Sequence, residues 1–392
     1  MPIVAMIVSN PCDPDPRVEK EAFSLIQAGY EVTIYAFDRE ENSELISTND
    51  GIKIRRYRVG FTPTGASSLF LGAKVLSGLK RFRKRVLNDL LNNPPDIIHC
   101  HDADTLEIGI MMKSKTDAKL VFDMHDLAHT WARMKRPTSI IRIIVSKFIE
   151  KRLVQRMKKC DLIITSSGAV SKTSYPGFRE WVRRRITNPN ITVVENRPIK
   201  TKEIEPLPDE FTIGYAGKIR EKSMFKTLIK TIENWPEEKT PKIILAGDGT
   251  ADSDVENLFI SSNIEVERIG KFSRMELPSI INRISVMYAV YPTTRGNILD
   301  GALPTKMFDA AIYGRPSIVN SGCLMEDISK AEKLGVAINV DDSEALKNAL
   351  MEIKNQKMKV KLERNWEGES KRLVQAYKDL RVSYLEGLVN PS

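Results

Sequence analysis

Lys306 and Asp309 stand three residues apart within Asn297-Ile-Leu-Asp-Gly-Ala-Leu-Pro-Thr-Lys-Met-Phe-Asp-Ala-Ala-Ile-Tyr-Gly-Arg-Pro-Ser-Ile-Val-Asn320, so on a helix they share one face. A helix N-terminus offers free N–H groups and a partial positive charge, which suits phosphate. A cation and a carboxylate beside such a site match a sugar nucleotide. The amine would take the diphosphate and the carboxylate the ribose hydroxyls. The spacing predicts a helix over 304–313, with Pro304 in the first turn, where it has no N–H to lose. Gly314 suits the left-handed position past its end, Pro316 prevents it resuming, and Ser317 to Val319 reads as a buried strand.

The histidines form a second constellation, all four lying between positions 99 and 129. In Asp96-Ile-Ile-His-Cys-His101, His99 and His101 share one face of a strand. His101 and His125 both close strands, where an open α/β sheet places its chemistry. Three readings fit. The histidines face a ligand, or they are structural strand residues. Alternatively, with Asp102, Asp104, Asp126 and His129 they hold a metal in a hydrolase. Against the metal, His125 precedes a helix instead of sitting within one.

The elements that position these residues follow from the pattern. Residues 3–9 form an apolar strand. The turn-rich loop Ser9-Asn-Pro-Cys-Asp-Pro-Asp-Pro-Arg17 follows, then a helix over 18–28, a stop at Gly29 and a strand over 31–36. This β-loop-α-β unit opens a doubly wound parallel sheet, whose loops bind ligands beyond the strand ends. The 9–17 loop should therefore line a cleft, where Arg17 could meet a donor phosphate or an acceptor anion or lie on the surface at the helix start. Further strands are expected at 52–59, 95–101, 121–125 and 161–167, with helices over 75–91 and from Pro137 onward. Phe61 to Leu71 reads as a loop, and Arg197 to Asp209 as a polar, proline-rich linker. A second α/β run starts at Phe211. There Gly217 ends a strand and lets the backbone approach a ligand closely, with Lys218 and Lys222 following.

Leu303-Pro-Thr-Lys-Met-Phe-Asp309 with Gly314-Arg-Pro316 resembles a segment of the retaining nucleotide-sugar glycosyltransferases of the GT-B fold, family 4. Five further stretches resemble that family in the same order: Asp96-Ile-Ile-His-Cys-His101, Val193-Val-Glu-Asn196, Gly217-Lys218 with Lys222, Gly247-Asp-Gly249, and Gly270-Lys-Phe272. Trp366-Glu367 resembles the pair that starts the family's last helices. The resemblance implies two doubly wound, Rossmann-like α/β domains facing across a cleft. An acceptor-binding domain would span 1–200 and a nucleotide-sugar-binding domain 208–365, with helices 366–392 crossing back to the first. It implies a hexosyltransferase-type enzyme retaining anomeric configuration, with no metal and no cofactor. By that resemblance His125, Lys218 and Lys222 are catalytic. Gly217, Lys306, Asp309, Phe272 and Thr305 bind the donor, and Arg17, His101 and Asp15 lie on the acceptor side. Departures from the family are Asp309 for glutamate, Gly301 at an earlier acidic position with Asp300 one residue off, and Lys218 for arginine. They keep a non-catalytic nucleotide-sugar-binding relative as an alternative. An epimerase or phosphorylase would need its own catalytic set.

Charge sharpens the partner class. The net +9 is uneven: residues 1–200 hold 33 Lys/Arg against 22 Asp/Glu, and residues 201–392 hold 27 against 29. The basic first half points to an anionic acceptor, such as a lipid-linked saccharide at a membrane surface. After Pro137, Ile141, Ile144, Val145, Phe148, Ile149, Leu153 and Met157 form one apolar stripe on a basic helix, a pattern suited to anionic lipid. No nucleic-acid module is present. Four scattered cysteines without a C-x-x-C pair, and no signal peptide or membrane-spanning run, point to the cytoplasm, with peripheral attachment to the membrane.

Overall fold

The computed structural model describes residues 1–63, 69–133, 137–170, 172–200 and 204–389. The chain divides into two compact units. The first comprises Met1–Ala169, Phe178–Glu195 and the residues from Gly368 onward; the second comprises Val170–Gly177 and Asn196–Glu367.

The first unit contains strands β1 (Ile3–Val8), β2 (Glu31–Phe37), β3 (Ile46–Asn49), β4 (Ile52–Tyr57), β5 (Ile97–His101), β6 (Lys119–Met124), β7 (Leu162–Thr165) and β8 (Ile191–Val193). They form one sheet in the order β3-β4-β2-β1-β5-β6-β7-β8, parallel except for the β3–β4 hairpin. That short edge strand has only one half-buried residue and no apolar alternation, so its sequence does not announce it. The central strands β1, β5 and β6 are buried on both faces, as parallel sheets require, and β1 is a continuous apolar run. Strand order reverses between β1 and β5, a topological switch point. Asp15 caps the helix Pro16–Gln27, its side chain accepting from Val18 N. Part of the expected 61–71 loop, residues 64–68, lies outside the described residues, and a helix runs over Leu69–Asn92.

The second unit contains β9 (Thr212–Ala216), β10 (Lys242–Ala246), β11 (Glu267–Ile269), β12 (Val286–Ala289), β13 (Ser317–Asn320) and β14 (Gly335–Ile338). All are parallel, in the order β11-β10-β9-β12-β13-β14, with the switch point between β9 and β12. The expected linker 197–209 is anchored at its start, and its described residues from Ile199 onward are mostly exposed. Arg197 is fully buried, forks onto Glu332 at 2.6 and 2.7 Å, and lies 3.8 Å over the Phe308 ring. Residues 201–203 lie outside the described residues.

Candidate functional site

Two charged clusters lie at the two switch points, one in each unit. In the first, register sets the geometry: His101 closes β5 directly beside Asp123 of β6. Asp123 is fully buried and accepts from His101 Nδ1 and His125 Nδ1, each at 3.1 Å. Arg17 meets it bidentately, Nε to Oδ2 at 2.7 Å and Nη2 to Oδ1 at 2.6 Å. A third guanidinium donor reaches Val194 O at 3.0 Å, and Nη2 lies 3.1 Å from Glu21 one helical turn on. The expected contact of Arg17 with a ligand is therefore corrected. The side chain is buried and its donors are committed inside the protein. Asp15 is likewise occupied, by the helix cap and by Asn10 Nδ2 at 2.8 Å.

Burial opposes the Arg17 charge, but Asp123 and Glu21 more than compensate and hold its pKa above the ordinary arginine value. Burial likewise disfavours the Asp123 carboxylate, yet Arg17 and the two histidines hold its pKa well below the usual range. His125 is half-buried, with Nε2 3.0 Å from Asp102. Against burial, Asp102 and Asp123 hold its pKa well above that of a free imidazole, so it is a cation at neutral pH. Glu21 is pushed up to about 7 by burial and by Asp123. His99, with Nδ1 2.8 Å from the Tyr377 hydroxyl, is held neutral by burial and by His101. Only Asp102 and His125 of this network are accessible, with side chains 42% and 26% exposed.

The metal set expected from sequence splits apart. His129 stacks on Trp181 and lies 4.0 Å from Glu150, Asp126 accepts from Trp131, and Asp104 faces Arg39. A different group converges, Glu21, His99, His101 and Asp123, with ligand atoms within 4.8 Å of one another. Its donor geometry fits an ion poorly. The His99 and His101 rings stack at 4.2 Å and 24°, so one ion cannot lie in both ring planes, and the Arg17 cation already occupies the carboxylates.

In the second unit the switch point gathers cations. The helix Thr305–Ala311 is shorter than expected, and Pro304 stands before it as an extended N-cap residue. Lys306 and Asp309 share a buried face as the spacing predicts. The Lys306 amine lies 3.5 Å over the Tyr215 ring at the end of β9 and 5.1 Å from the Tyr291 ring just beyond β12. Burial, with Arg295 and Arg220 nearby, pushes its pKa well below the ordinary lysine value. Arg295 itself lies 5.1 Å over Tyr291. Arg274 faces Asp309 at 3.3 Å. Glu221, raised by burial against the pull of Arg295 and Arg220, completes the cluster.

Gly217 has φ +142°, and a side chain there would crowd the Lys306 amine, its Cβ only 3.4 Å from Nζ. Lys218 is exposed and ion-paired with Asp248, while Lys222 is exposed at the N-cap of the helix Ser223–Glu233. Thr305 is half-buried in the first turn beside Lys306, and Phe272 packs half-buried on the core beyond β11. Gly301 has φ +101°, and a Cβ there would meet Pro176 O at 2.3 Å. Backbone packing therefore excludes an acidic side chain at that position. Sequence reasoning missed Asp123 and Glu21, and Arg220, Arg274 and Arg295, and weighed Asp102 only as a metal ligand. For Asp123 the signal was present, since a charge inside an apolar strand must be paired.

Residues 18–195 match the family model Glycosyltransferase Family 4. The paired parallel-sheet units are those of the GT-B fold. Among solved structures, sucrose-phosphate synthase from Thermosynechococcus elongatus is 15% identical over 98% of each chain, with a TM-score of 0.68. Anabaena HepE in complex with UDP-glucose is 12% identical over 98% of this chain and 99% of that one, at 0.65. The lipopolysaccharide outer core galactosyltransferase WaaB is 15% identical over 98% and 100%, at 0.60. No curated protein sequence matches the chain. Among the described residues no helix is long and apolar enough to cross a membrane.

Proposed function

We propose that the protein transfers a hexosyl group, with retention of configuration, from a nucleoside-diphosphate sugar to a hydroxyl of a lipid-linked or phosphate-bearing saccharide. The observation that carries the reading is the buried Lys306 amine at the β9/β12 switch point, over the Tyr215 ring with Arg220 and Arg295 nearby. A diphosphate there would favour its charged form. Lys306, Arg220 and Arg295 would hold it, with Lys222 at the mouth of the loop and Gly217 giving the backbone close approach. As the nucleotide leaves, these fixed cations stabilise its developing charge, work that a metal ion does elsewhere, so no metal is required. Asp309 takes the ribose hydroxyls, with Thr305 beside it, and Phe272 lies on the turn assigned to the base.

The acceptor is assigned to the first unit. Its reachable pair, Asp102 and His125, offers a carboxylate that accepts from a sugar hydroxyl and an imidazolium that donates. Arg17, Asp123 and His101 fix the orientation of His125 and touch no substrate. Lys218 shapes the loop through Asp248. HepE, a solved structure of the same fold, is described in complex with UDP-glucose, which makes that sugar nucleotide the first donor to try.

The test is calorimetric titration with UDP-, GDP- and ADP-sugars, with and without chelator. One donor should bind at micromolar affinity regardless of chelator and be lost in Asp309→Ala. Binding that chelator abolishes would overturn the metal-free reading, and no binding by any donor would overturn the donor site. Proton NMR of the product's anomeric centre decides retention.

A further inference from the structure

The helix Ile140–Met157 turns its apolar side the wrong way for a core element. Only Ser146, Leu153 and Met157 are buried among its residues. Ile140, Ile141, Ile144, Val145 and Phe148 are 74%, 75%, 62%, 45% and 63% exposed. Positions i, i+1, i+4, i+5 and i+8 span an arc of about 140°, one continuous face. The stripe that the sequence presents as uniform is therefore two stripes. Its first half faces water, and Leu153 and Met157 turn inward.

The same outer face changes character along its length. After Phe148 it carries Lys151, Arg152, Lys158 and Lys159, all exposed, with Lys147 at its margin. Lys147, Lys151 and Arg152 make no ion pair among the described residues, whereas the inward-facing Arg156 and Glu150 are paired with Glu107 and Arg185. Trp131, on the short helix Ala128–Trp131 packed against this one, is 37% exposed. At 1.5 Å per residue the apolar segment is about 12 Å long.

We propose that this face is an interfacial anchor for an anionic lipid surface. The Ile140–Phe148 segment enters the acyl boundary and the Lys147–Lys159 segment lies among the headgroup phosphates. The proposal deepens the lipid-linked-acceptor reading and rests on it for its purpose. A protein partner is disfavoured by the lysines, which are depleted from protein interfaces while basic clusters beside apolar side chains suit anionic lipid.

The test is co-sedimentation of the full chain with vesicles of phosphatidylcholine alone or with about one third phosphatidylglycerol. The protein should bind the anionic vesicles and lose affinity as salt rises. The exposed-site variant Ile144→Ser/Phe148→Ser should bind roughly tenfold more weakly at any salt. Lys151→Glu/Arg152→Glu should lose mainly the salt-sensitive part. Absence of binding by the unaltered chain, or equal binding by the variants, would overturn the anchor. So would light scattering showing a dimer that Ile144→Ser/Phe148→Ser dissolves, since a second copy would then cover the face. Calorimetry with UDP-glucose on the same samples separates the two readings. Vesicle binding without donor binding sinks the donor assignment alone, and the converse sinks the anchor alone.

Discussion

The charged cluster of the first unit pairs its cations internally, and that of the second sets a buried amine among arginines. Around Asp123 the cations have acceptors inside the protein, Arg17 on Asp123, Glu21 and Val194 O, and His125 on Asp123 and Asp102, while His99 Nε2 and His101 Nε2 make no hydrogen bond among the described residues. Around Lys306, the exposed Arg220 and Arg274 and the half-buried Arg295 gather with Asp309 and Glu221. Buried cations with carboxylate partners serve position. A buried amine whose pKa is pushed well down is held at a cost that a ligand's negative charge removes. Two charged sites at equivalent places in two similar sheets thus set their charges against different surroundings, and residue type alone does not distinguish them.

The sharpest way to break this contrast is to remove one cation from each cluster. Lys306→Met should lower UDP-sugar binding or turnover roughly 100-fold or more, as expected when a cation aimed at developing charge is lost. Because the amine is buried and its pKa is depressed, the same change should leave thermal stability unchanged or raise it. A fall in melting temperature without loss of donor affinity would make Lys306 structural and merge the two cases.

Arg17→Met should do the reverse. It strands Asp123 and Glu21 in a buried site, and removing one partner of such a pair costs about 3–5 kcal/mol. The first unit's urea transition should move accordingly while UDP-sugar affinity, assigned to the second unit, stays the same. Weakened donor binding with no change in stability would return Arg17 to ligand contact.

How far these roles were legible in the sequence follows from the same contrast. The doubly wound architecture was readable, because apolar runs such as Ile3–Val8 alternate with turn-bounded helices. Gly314 was readable because its φ of +75° is one that a side chain resists. Lys306 and Asp309 share a buried face because helical spacing is local. Arg17 was misjudged because its partner lies 106 residues away on another strand, a separation no local pattern encodes. Arg220, Arg274 and Arg295 were passed over for a related reason. Each looks like an ordinary surface arginine until the sheet brings three loops together. The hairpin strand Ile46–Asn49 escaped because an exposed edge needs no apolar alternation.

A smaller effect refines the second cluster. The free Lys306 amine is depressed by burial and by Arg295 and Arg220, and a bound diphosphate favours its charged form. At pH values between its lowered pKa and the ordinary lysine value, donor binding should take up as much as one proton. Affinity should weaken as pH rises through that window. Titrations at one pH in buffers of different ionisation enthalpy should give different apparent heats, and Lys306→Met should lose the difference. Equal heats in every buffer would mean that the amine is already charged when free.

The smallest effect tests the first cluster. Glu21 titrates at about 7 in the folded chain. Its unfolded value is near that of an ordinary glutamate, about 4.3. The folded state therefore binds more protons between these two values, and this residue's contribution to stability is full below the lower value and lost as pH rises through the upper. Asp123, held low, has the opposite sign and loses its contribution only on acidification below the ordinary aspartate range. Glu21→Gln keeps the shape and removes the titration. The first unit of the variant should be more stable relative to the parent at pH 8 than at pH 5, read from urea midpoints. An unchanged difference across that range would mean that Arg17 keeps Glu21 ionised throughout. The network would then be a fully charged one, balanced differently from the arrangement described.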